Sequence, residues 1–342
     1  MIDQYQLNEF VTESIVDSES ELLKLKEARI VITGASGFIG SWISSLLYVA
    51  NLELSLNMNL FFLVGKSNEL LLNKTEGKVK WKSINFEKNH FDLNFNYTHA
   101  IHCSTPSNVH SGSQNSTSAN AVATNSLRSL LVDAKNSKMV PKLMHLSSGS
   151  VYEGSHDYKN ISVSEFTAIK SETSRNSYDV TKISLEEEIN NAAARGLIIG
   201  SSPRLFAFYG PRLALDAHFA IGNFMQNAIN RKPIKIQGNP NTIRSYMYPT
   251  DLLNFLVRIL VDPESGSLNI GSSKPRTLYE TARSIGDVFG ISRIETNANK
   301  NELTSYFPST EKVEERYDYC EKMVFETGIE KWRRWLEVKP RS

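Results

Sequence analysis

Cysteine is nearly missing from this sequence: 342 residues contain two, Cys103 and Cys320. Far apart, with no CxxC pair and no clustered histidines, they offer neither a disulfide framework nor a zinc site, and a reducing cytoplasm is the expected setting. An excess of charge of either sign is also missing. With 38 Lys+Arg against 37 Asp+Glu and no long basic run, there is no electrostatic case for nucleic acid or an anionic membrane as partner. A small-molecule substrate becomes the default. Long hydrophobic runs are lacking too: the most apolar segment, Ile39 to Leu56, is broken by Ser41, Ser44, Ser45, Asn51 and Glu53, so no membrane span is expected. The opening stretch MIDQYQLNEFVTESIVDSESELLKLKEAR has no basic region followed by an apolar core, so no secretory signal is expected. What remains is a chain with 40% hydrophobic residues, long enough to bury a large core as one big or two coupled domains.

Residues 1–28 read as an acidic helical extension, in which Val11, Ile15, Leu22, Leu23 and Leu25 form an apolar stripe that packs on the domain or on a partner subunit. From Arg29 the pattern changes. RIVIT is a short β-branched run, GASGFIG a glycine turn, and SWISSLLYVA an apolar-periodic helix. Further strands are expected at NLFFLVG, VKWKSIN, HAIHCS, KLMHLSS and LIIGSSPRLFAFYG, with helices at ANAVATNSLRSLLVDAKN and from about Tyr178 to Arg195. Strands alternating with helices at this spacing imply an α/β fold with a doubly wound parallel sheet. After Pro211 the alternation fades to a helix near AIGNFMQNAIN, a short strand IKIQG and a mixed tail. The expected organisation is therefore the extension 1–28, a dinucleotide-binding domain over 29–205, and a smaller α+β lobe mainly for substrate over 206–342, with the chain free to cross back.

The first strand-to-helix turn reads Thr33-Gly34-Ala35-Ser36-Gly37-Phe38-Ile39-Gly40. Glycines there let the backbone turn sharply, let a pyrophosphate approach the helix N-terminus, and let the helix pack closely on the strand. The spacing is GxxGxxG rather than GxGxxG, but the turn follows a strand and opens a helix, the context that gives the pattern meaning. An acidic residue after the second strand would hold the ribose hydroxyls of NAD. The run is Leu63-Val64-Gly65-Lys66-Ser67 instead; Lys66 and Ser67 suit a 2′-phosphate, which favours NADP, while a solvated Lys66 with NAD bound is the alternative. Further on, hydroxyls cluster at the strand end HLSSGSVYEG, and thirty residues beyond Ser148 comes Tyr178, with Lys182 four positions later. On a helix this spacing puts both side chains on one face. A phenol with an ordinary pKa near 10 needs help to act as a base; an ammonium and a positive nicotinamide ring both favour the phenolate. The pair is suited to shuttling a proton while a cofactor gives or takes hydride.

In order and spacing, TGASGFIGS, AIHCSTP, Asn125, LSSGSVYEG, YDVTK, PRLFAFYGPR, IRSYMYPTDLL and LNIGS resemble the extended short-chain dehydrogenase/reductase family, in its nucleotide-sugar epimerase, dehydratase and ketoreductase branch. The match runs from about Arg29 to Trp335. The resemblance implies a Rossmann-type sheet with Tyr178 as general acid/base, Lys182 on the nicotinamide ribose and lowering the tyrosine pKa, and Ser148 sharing the proton-bearing hydrogen bond. It implies cofactor contacts from Gly34, Ser36, Gly37, Phe38, Ile39 and Gly40, and places Asn85 and Phe86 at the adenine. Ser148, Gly149, Ser150, Tyr178 and Arg244 fall at substrate positions, Arg244 as the guanidinium that grips the substrate diphosphate; the alternative for Arg244 is a surface arginine. Relatives pair as homodimers through two helices, here those near 120–136 and 178–195.

Departures from the family narrow the reaction. Dehydratases of the branch carry an acid pair where this chain has Gly149 and Ser150, and decarboxylating members carry a glutamate at the second position. Members that epimerise at C3 and C5 have a cysteine there and a histidine after the YGP turn, where this chain has Ser150 and Arg212-Leu213. All three activities are disfavoured. Ala207 also replaces an asparagine that touches substrate in many relatives. Cys103 and His102 end the fourth strand, where a buried cysteine acting as a small apolar group is the simpler reading; Trp332 and Trp335, with Ile329 and Leu336, read as helix-face packing. The expected activity is a 4-ketoreductase using NADPH on a nucleotide-diphosphate-linked 4-keto sugar, with a 4-epimerase holding NAD as the alternative. Reduction of a non-nucleotide carbonyl compound, or dinucleotide sensing without catalysis, are further alternatives.

Overall fold

The computed structural model describes residues 2–65, 79–84, 96–104, 114–152, 177–215, 219–296 and 303–338. The chain divides into two compact units. The first holds the chain up to Val151, the stretch ending at Arg204, and Leu253–Leu268; the second holds Tyr152, Leu205–Leu252 and the chain from Asn269 onward.

In the first unit, helix α1 (Ile2–Asp17) and the short α2 (Glu19–Leu23) precede strand β1 (Arg29–Thr33), helix α3 (Phe38–Glu53), β2 (Asn59–Val64), β3 (Val79–Ser83), β4 (His99–His102), α4 (Gln114–Lys135), β5 (Lys142–His145), the two-residue β6 (Ser147–Ser148), α5 (Ser177–Ala194) and β7 (Ile199–Ser201). Six of these strands form one sheet in the order β3-β2-β1-β4-β5-β7, parallel throughout. This is the doubly wound, Rossmann-type sheet read from the sequence. Strand β1 is central, and its last four residues are all buried, as a strand covered on both faces must be. On one face Val31, Ala100 and Leu143 meet Leu127 and Leu130 of α4 and Leu185 and Ile189 of α5. The alternate residues Ile30 and Ile32 point the other way, toward the side on which α3 packs against β1 and β2.

The extension docks on this unit: α1 lies along α3, with Phe10 edge-on to the buried Trp42 at 6.4 Å between ring centroids. Leu7, Val11, Ile15, Leu22 and Leu25 are buried, whereas Leu23, which the sequence reading placed in the same stripe, is 48% exposed. Val11, Ile15, Ser18, Leu22 and Leu25 keep one continuous helical spacing across the junction of α1 and α2, and Leu23, one residue off that line, faces outward. At that junction Ser18 donates to Asn254 Oδ1 at 2.7 Å and accepts from Arg258 Nη1 at 2.8 Å.

The second unit begins where β8 (Arg204–Leu205) ends, and continues through α6 (Ala220–Ile229), β9 (Ile234–Ile236), β10 (Ile243–Arg244), the first residues of α7 (Pro249–Val261), β11 (Asn269–Ile270), β12 (Arg276–Thr277), α8 (Leu278–Phe289), β13 (Ile294–Thr296), β14 (Ser305–Tyr306), α9 (Glu311–Tyr317) and α10 (Phe325–Val338). Its helix content exceeds the sequence expectation, which missed α7, α8 and α9. Helix α8 had a readable signal: Thr277 and Glu280 form a capping box, the T-x-x-E pattern of a helix start. Strand β10 pairs with β12 antiparallel and with β14 parallel, and β9 pairs with β13. Ile329, Trp332 and Trp335 of α10 are buried, the helix-face packing expected of them. Among the described residues no helix is long and apolar enough to cross a membrane.

Truncating Leu25 to alanine is expected to cost about 2–5 kcal/mol of stability, and the same change at Leu23 less than about 0.5 kcal/mol. Urea unfolding midpoints of the two variants check this; equal shifts would refute the docked extension.

Candidate active site

The glycine turn lies at the carboxyl end of β1, where the sheet order reverses between β1 and β4, the place where open α/β sheets take ligands. Gly34 sits at φ +68°, and a Cβ there would fall 2.8–2.9 Å from the backbone of Cys103 and Ser104. A Cβ on Gly40 would fall 2.1 Å from the Gly34 carbonyl oxygen. No residue but glycine fits either position. Gly37 caps α3 with no side-chain hydrogen bond, which leaves the start of a sixteen-residue helix without a capping oxygen of its own. Ser36, Phe38 and Ile39 beside it are half-buried, and Gly37 is exposed. This cradle fits a dinucleotide pyrophosphate: bare backbone, a positive helix terminus, and glycine where any side chain would intrude. Lys66, Ser67, Asn85 and Phe86, the expected ribose and adenine contacts, lie outside the described residues.

Two strand ends away, α5 carries Tyr178 and Lys182. Ser148 hydrogen-bonds the Tyr178 phenol, an interaction that favours the phenolate. Ser148 Oγ in turn accepts from the Ser150 hydroxyl at 3.0 Å and the Ser150 amide at 3.2 Å. Three hydroxyls thus form a chain, Ser150 to Ser148 to Tyr178. Gly149, in the turn between them, is buried. The Lys182 ammonium stands 5.6 Å from the Tyr178 ring centroid and donates to the Leu146 carbonyl. Cys103 links this group to the glycine turn: its backbone abuts Gly34, and its thiol is within electrostatic reach of Lys182.

Burial sets the proton affinities. It pushes the Tyr178 phenol up to about 12, outweighing the Ser148 hydrogen bond, with Asp179 adding to the rise. The sequence reading expected a lowered phenol. In the folded chain desolvation of the phenolate is the larger effect, and the reduction must come from added positive charge. Burial also pulls Lys182 down to about 7, against the raising influence of Cys103 and Glu186, and pushes the Cys103 thiol up to about 12, so the thiol stays neutral, as the apolar reading of this cysteine requires.

Beneath the site lies a group the sequence reading missed. His102 and His145, neighbours across β4 and β5, are fully buried, with their Nδ1 atoms 2.8 Å apart and His102 Nε2 2.7 Å from Ser126 Oγ. Ser126 gives its proton to the Ala123 carbonyl, so His102 Nε2 donates to Ser126 and His145 Nδ1 donates to His102 Nδ1. Burial, with Lys182 second, pulls His102 down to about 3 and His145 well below its ordinary value. Both rings are neutral near pH 7. Two histidines at matching positions of adjacent strands were the available signal, but nothing in the sequence shows which strands are adjacent. Arg244, in the second unit, donates to the Ile243 carbonyl at 2.7 Å and to Thr304 Oγ1 at 3.0 Å and is half-buried. Among the described residues no cluster of metal-ligating side chains exists.

Residues 30–271 match the NAD dependent epimerase/dehydratase family. The chain belongs to that family. Among relatives of this epimerase/dehydratase chain, a trifunctional UDP-glucose 4,6-dehydratase/UDP-4-keto-6-deoxy-D-glucose 3,5-epimerase/UDP-4-keto-L-rhamnose-reductase of Arabidopsis thaliana is 26% identical over 331 residues, 92% of this chain and 48% of that one. The chain spans less than half the length of the first curated relatives it matches. Among solved structures, an epimerase from Methanothermobacter thermautotrophicus superposes with TM-score 0.77 at 19% identity, covering 94% of this chain and 96% of that one. UDP-glucuronic acid 4-epimerase from Bacillus cereus, in complex with NAD, superposes with TM-score 0.70 at 19% identity, covering 90% and 98%. At these identities the structures speak for the fold.

The buried histidines have folded pKa values below the unfolded 6.5. The unfolded chain therefore binds protons that the folded chain refuses, and stability is full above about pH 6.5 and falls with pH at up to roughly 1.4 kcal/mol per unit per histidine. Replacing both by glutamine should flatten the slope of unfolding free energy between about pH 6 and pH 4.5; an unchanged slope would refute burial as its source.

Proposed function

We propose that this chain is an oxidoreductase acting at C4 of a nucleotide-diphosphate-linked hexose, reducing a 4-keto sugar. The observation that carries it is the hydrogen-bonded chain Ser150–Ser148–Tyr178 with Lys182 over the phenol, built beside a glycine cradle that admits a dinucleotide. The nicotinamide, when bound, supplies the hydride chemistry and, in its oxidised form, positive charge near the phenol. The protein's own part is the proton. Tyr178 gives it to the C4 oxygen as a ketone becomes an alcohol, or takes it in the reverse direction, while Ser148 holds the phenol oxygen by its hydroxyl and Ser150 holds Ser148. Lys182 keeps positive charge against the ring. Gly34, Gly37 and Gly40 hold the pyrophosphate, with Lys66 and Ser67 toward a 2′-phosphate and Asn85 and Phe86 toward adenine. Arg244, its plane steadied by Thr304, suits a diphosphate.

No carboxylate occupies positions 149 or 150, which argues against elimination of water and against decarboxylation, the activity named for several plant relatives. The run Gly65-Lys66-Ser67, without an acid, supports NADPH and net reduction. A 4-epimerase holding NAD is the second reading, favoured by the fold-level likeness to a 4-epimerase in complex with NAD. We further propose a homodimer through α4 and α5, whose Val132 and Val180 are exposed, working in the cytoplasm.

A thermal-shift panel of CDP-, dTDP-, GDP- and UDP-sugars with each cofactor identifies the ligands, since saturation at 100 times Kd stabilises by about 2.7 kcal/mol. Loss of NADPH absorbance with a 4-keto sugar nucleotide supports reduction; interconversion of two sugars without absorbance change supports epimerisation; binding of neither cofactor refutes both. Tyr178→Phe should lower turnover roughly 10²–10⁴-fold with cofactor affinity unchanged, and unchanged turnover would sink the mechanism. Light scattering should give twice the 38.5 kDa chain mass.

A further inference from the structure

Glu186 continues the series on α5: Tyr178, Lys182 and Glu186 are spaced by four, so they share one helix face. Glu186 is 5% exposed, and both its oxygens are fully engaged. Arg204 grips it with Nε to Oε1 at 3.0 Å and Nη2 to Oε2 at 2.7 Å; Ser147 donates to Oε1 at 2.5 Å and Ser267 to Oε2 at 3.2 Å. Four donors on a buried carboxylate fix its position and replace the water it gave up on folding. Ser147 adjoins Ser148, so the same carboxylate ties the strand end of the hydroxyl chain to the helix of the phenol. Among the described residues, the groups facing Lys182 include Tyr178 and Glu186 from its own helix, His102 and Cys103 from the end of β4, and His145 with the Leu146 carbonyl from β5 and its end. His102 and His145 are neutral, Cys103 is a thiol, and Glu186 is the anion among them.

We propose that Glu186 is a positioning residue of the proton relay, the fixed negative charge that keeps the buried Lys182 in its ammonium form against Tyr178, with Arg204 setting how much of that charge Lys182 feels. The proposal rests on Tyr178 and Lys182 being the reacting pair. Lys182 titrates near 7, drawn down by burial and raised by Cys103 and Glu186. Its positive charge is present below that value and lost as pH rises through it. Glu186→Gln removes a raising influence, so the charge is lost at lower pH; Arg204→Met removes a cation from the same pair, so the charge persists to higher pH. Damage to a merely structural ion pair would move both variants alike.

The experiment is a pH titration of selectively ¹³Cε-lysine-labelled full-length protein by NMR, with the Lys182 signal assigned by its absence in Lys182→Arg. The expected result is a midpoint shifted down in Glu186→Gln and up in Arg204→Met, each by about one pH unit. Midpoints unmoved, or moved in the same direction, would overturn the proposal. If Glu186→Gln does not fold, Arg204→Met decides alone: a downward or absent shift refutes it. No substrate enters this readout. A Tyr178→Phe variant with undiminished turnover would remove the functional reading while leaving the titration result standing, so the two failures are told apart.

Discussion

One helix face organises the candidate site of this protein. Tyr178, Lys182 and Glu186 project from α5 at successive turns, and each is bound to a different part of the strand ends: the phenol to Ser148, the ammonium to the Leu146 carbonyl, the carboxylate to Ser147 and Arg204. Leu185 and Ile189 of the same helix are buried against the sheet with the α4 residues, so the polar face cannot rotate without unpacking the core. The apolar packing of this one helix fixes where Tyr178, Lys182 and Glu186 stand relative to the strand ends.

The price of such order is desolvation. Lys182 and four of the titratable groups around it are displaced toward their neutral forms: the Tyr178 phenol and the Cys103 thiol upward, His102, His145 and the ammonium downward. At Glu186 four donors replace the water that the carboxylate lost. The candidate site therefore depends on a small number of fixed charges, and any positive charge brought beside it would act on a phenol that burial has made reluctant to ionise. A low-dielectric site makes any added charge count for more than it would in water.

The glycine turn imposes the other constraint. Gly40 packs its Cα against the Gly34 carbonyl, and Gly34 against the end of β4; a side chain at Gly40 would push α3 off the turn, and one at Gly34 would push the turn off β4. That contact brings a helix terminus to the sheet's switch point. Membership of the NAD dependent epimerase/dehydratase family over residues 30–271 agrees with both features, while Gly149 and Ser150 mark where this chain lacks carboxylates beside its strand-end serine.

Much of this was local, and the sequence by itself determined it. The β-branched run RIVIT became the central β1, the glycine spacing predicted a turn that only glycine can occupy, and the interval of four between Tyr178 and Lys182 is a property of any helix. The stripe failed at Leu23 because that residue lies one position off the buried line of Val11, Ile15, Ser18, Leu22 and Leu25, and the contacts of Ser18 with Asn254 and Arg258, more than 230 residues away, were not legible in the sequence. For the same reason the His102–His145 pair, the hydrogen bond of Ser150 to Ser148, and the four donors on Glu186 were decided only by tertiary structure. Hydrogen bonds join atoms brought close by strand order and helix packing, and burial, which sets every shifted pKa in the site, belongs to the folded chain as a whole.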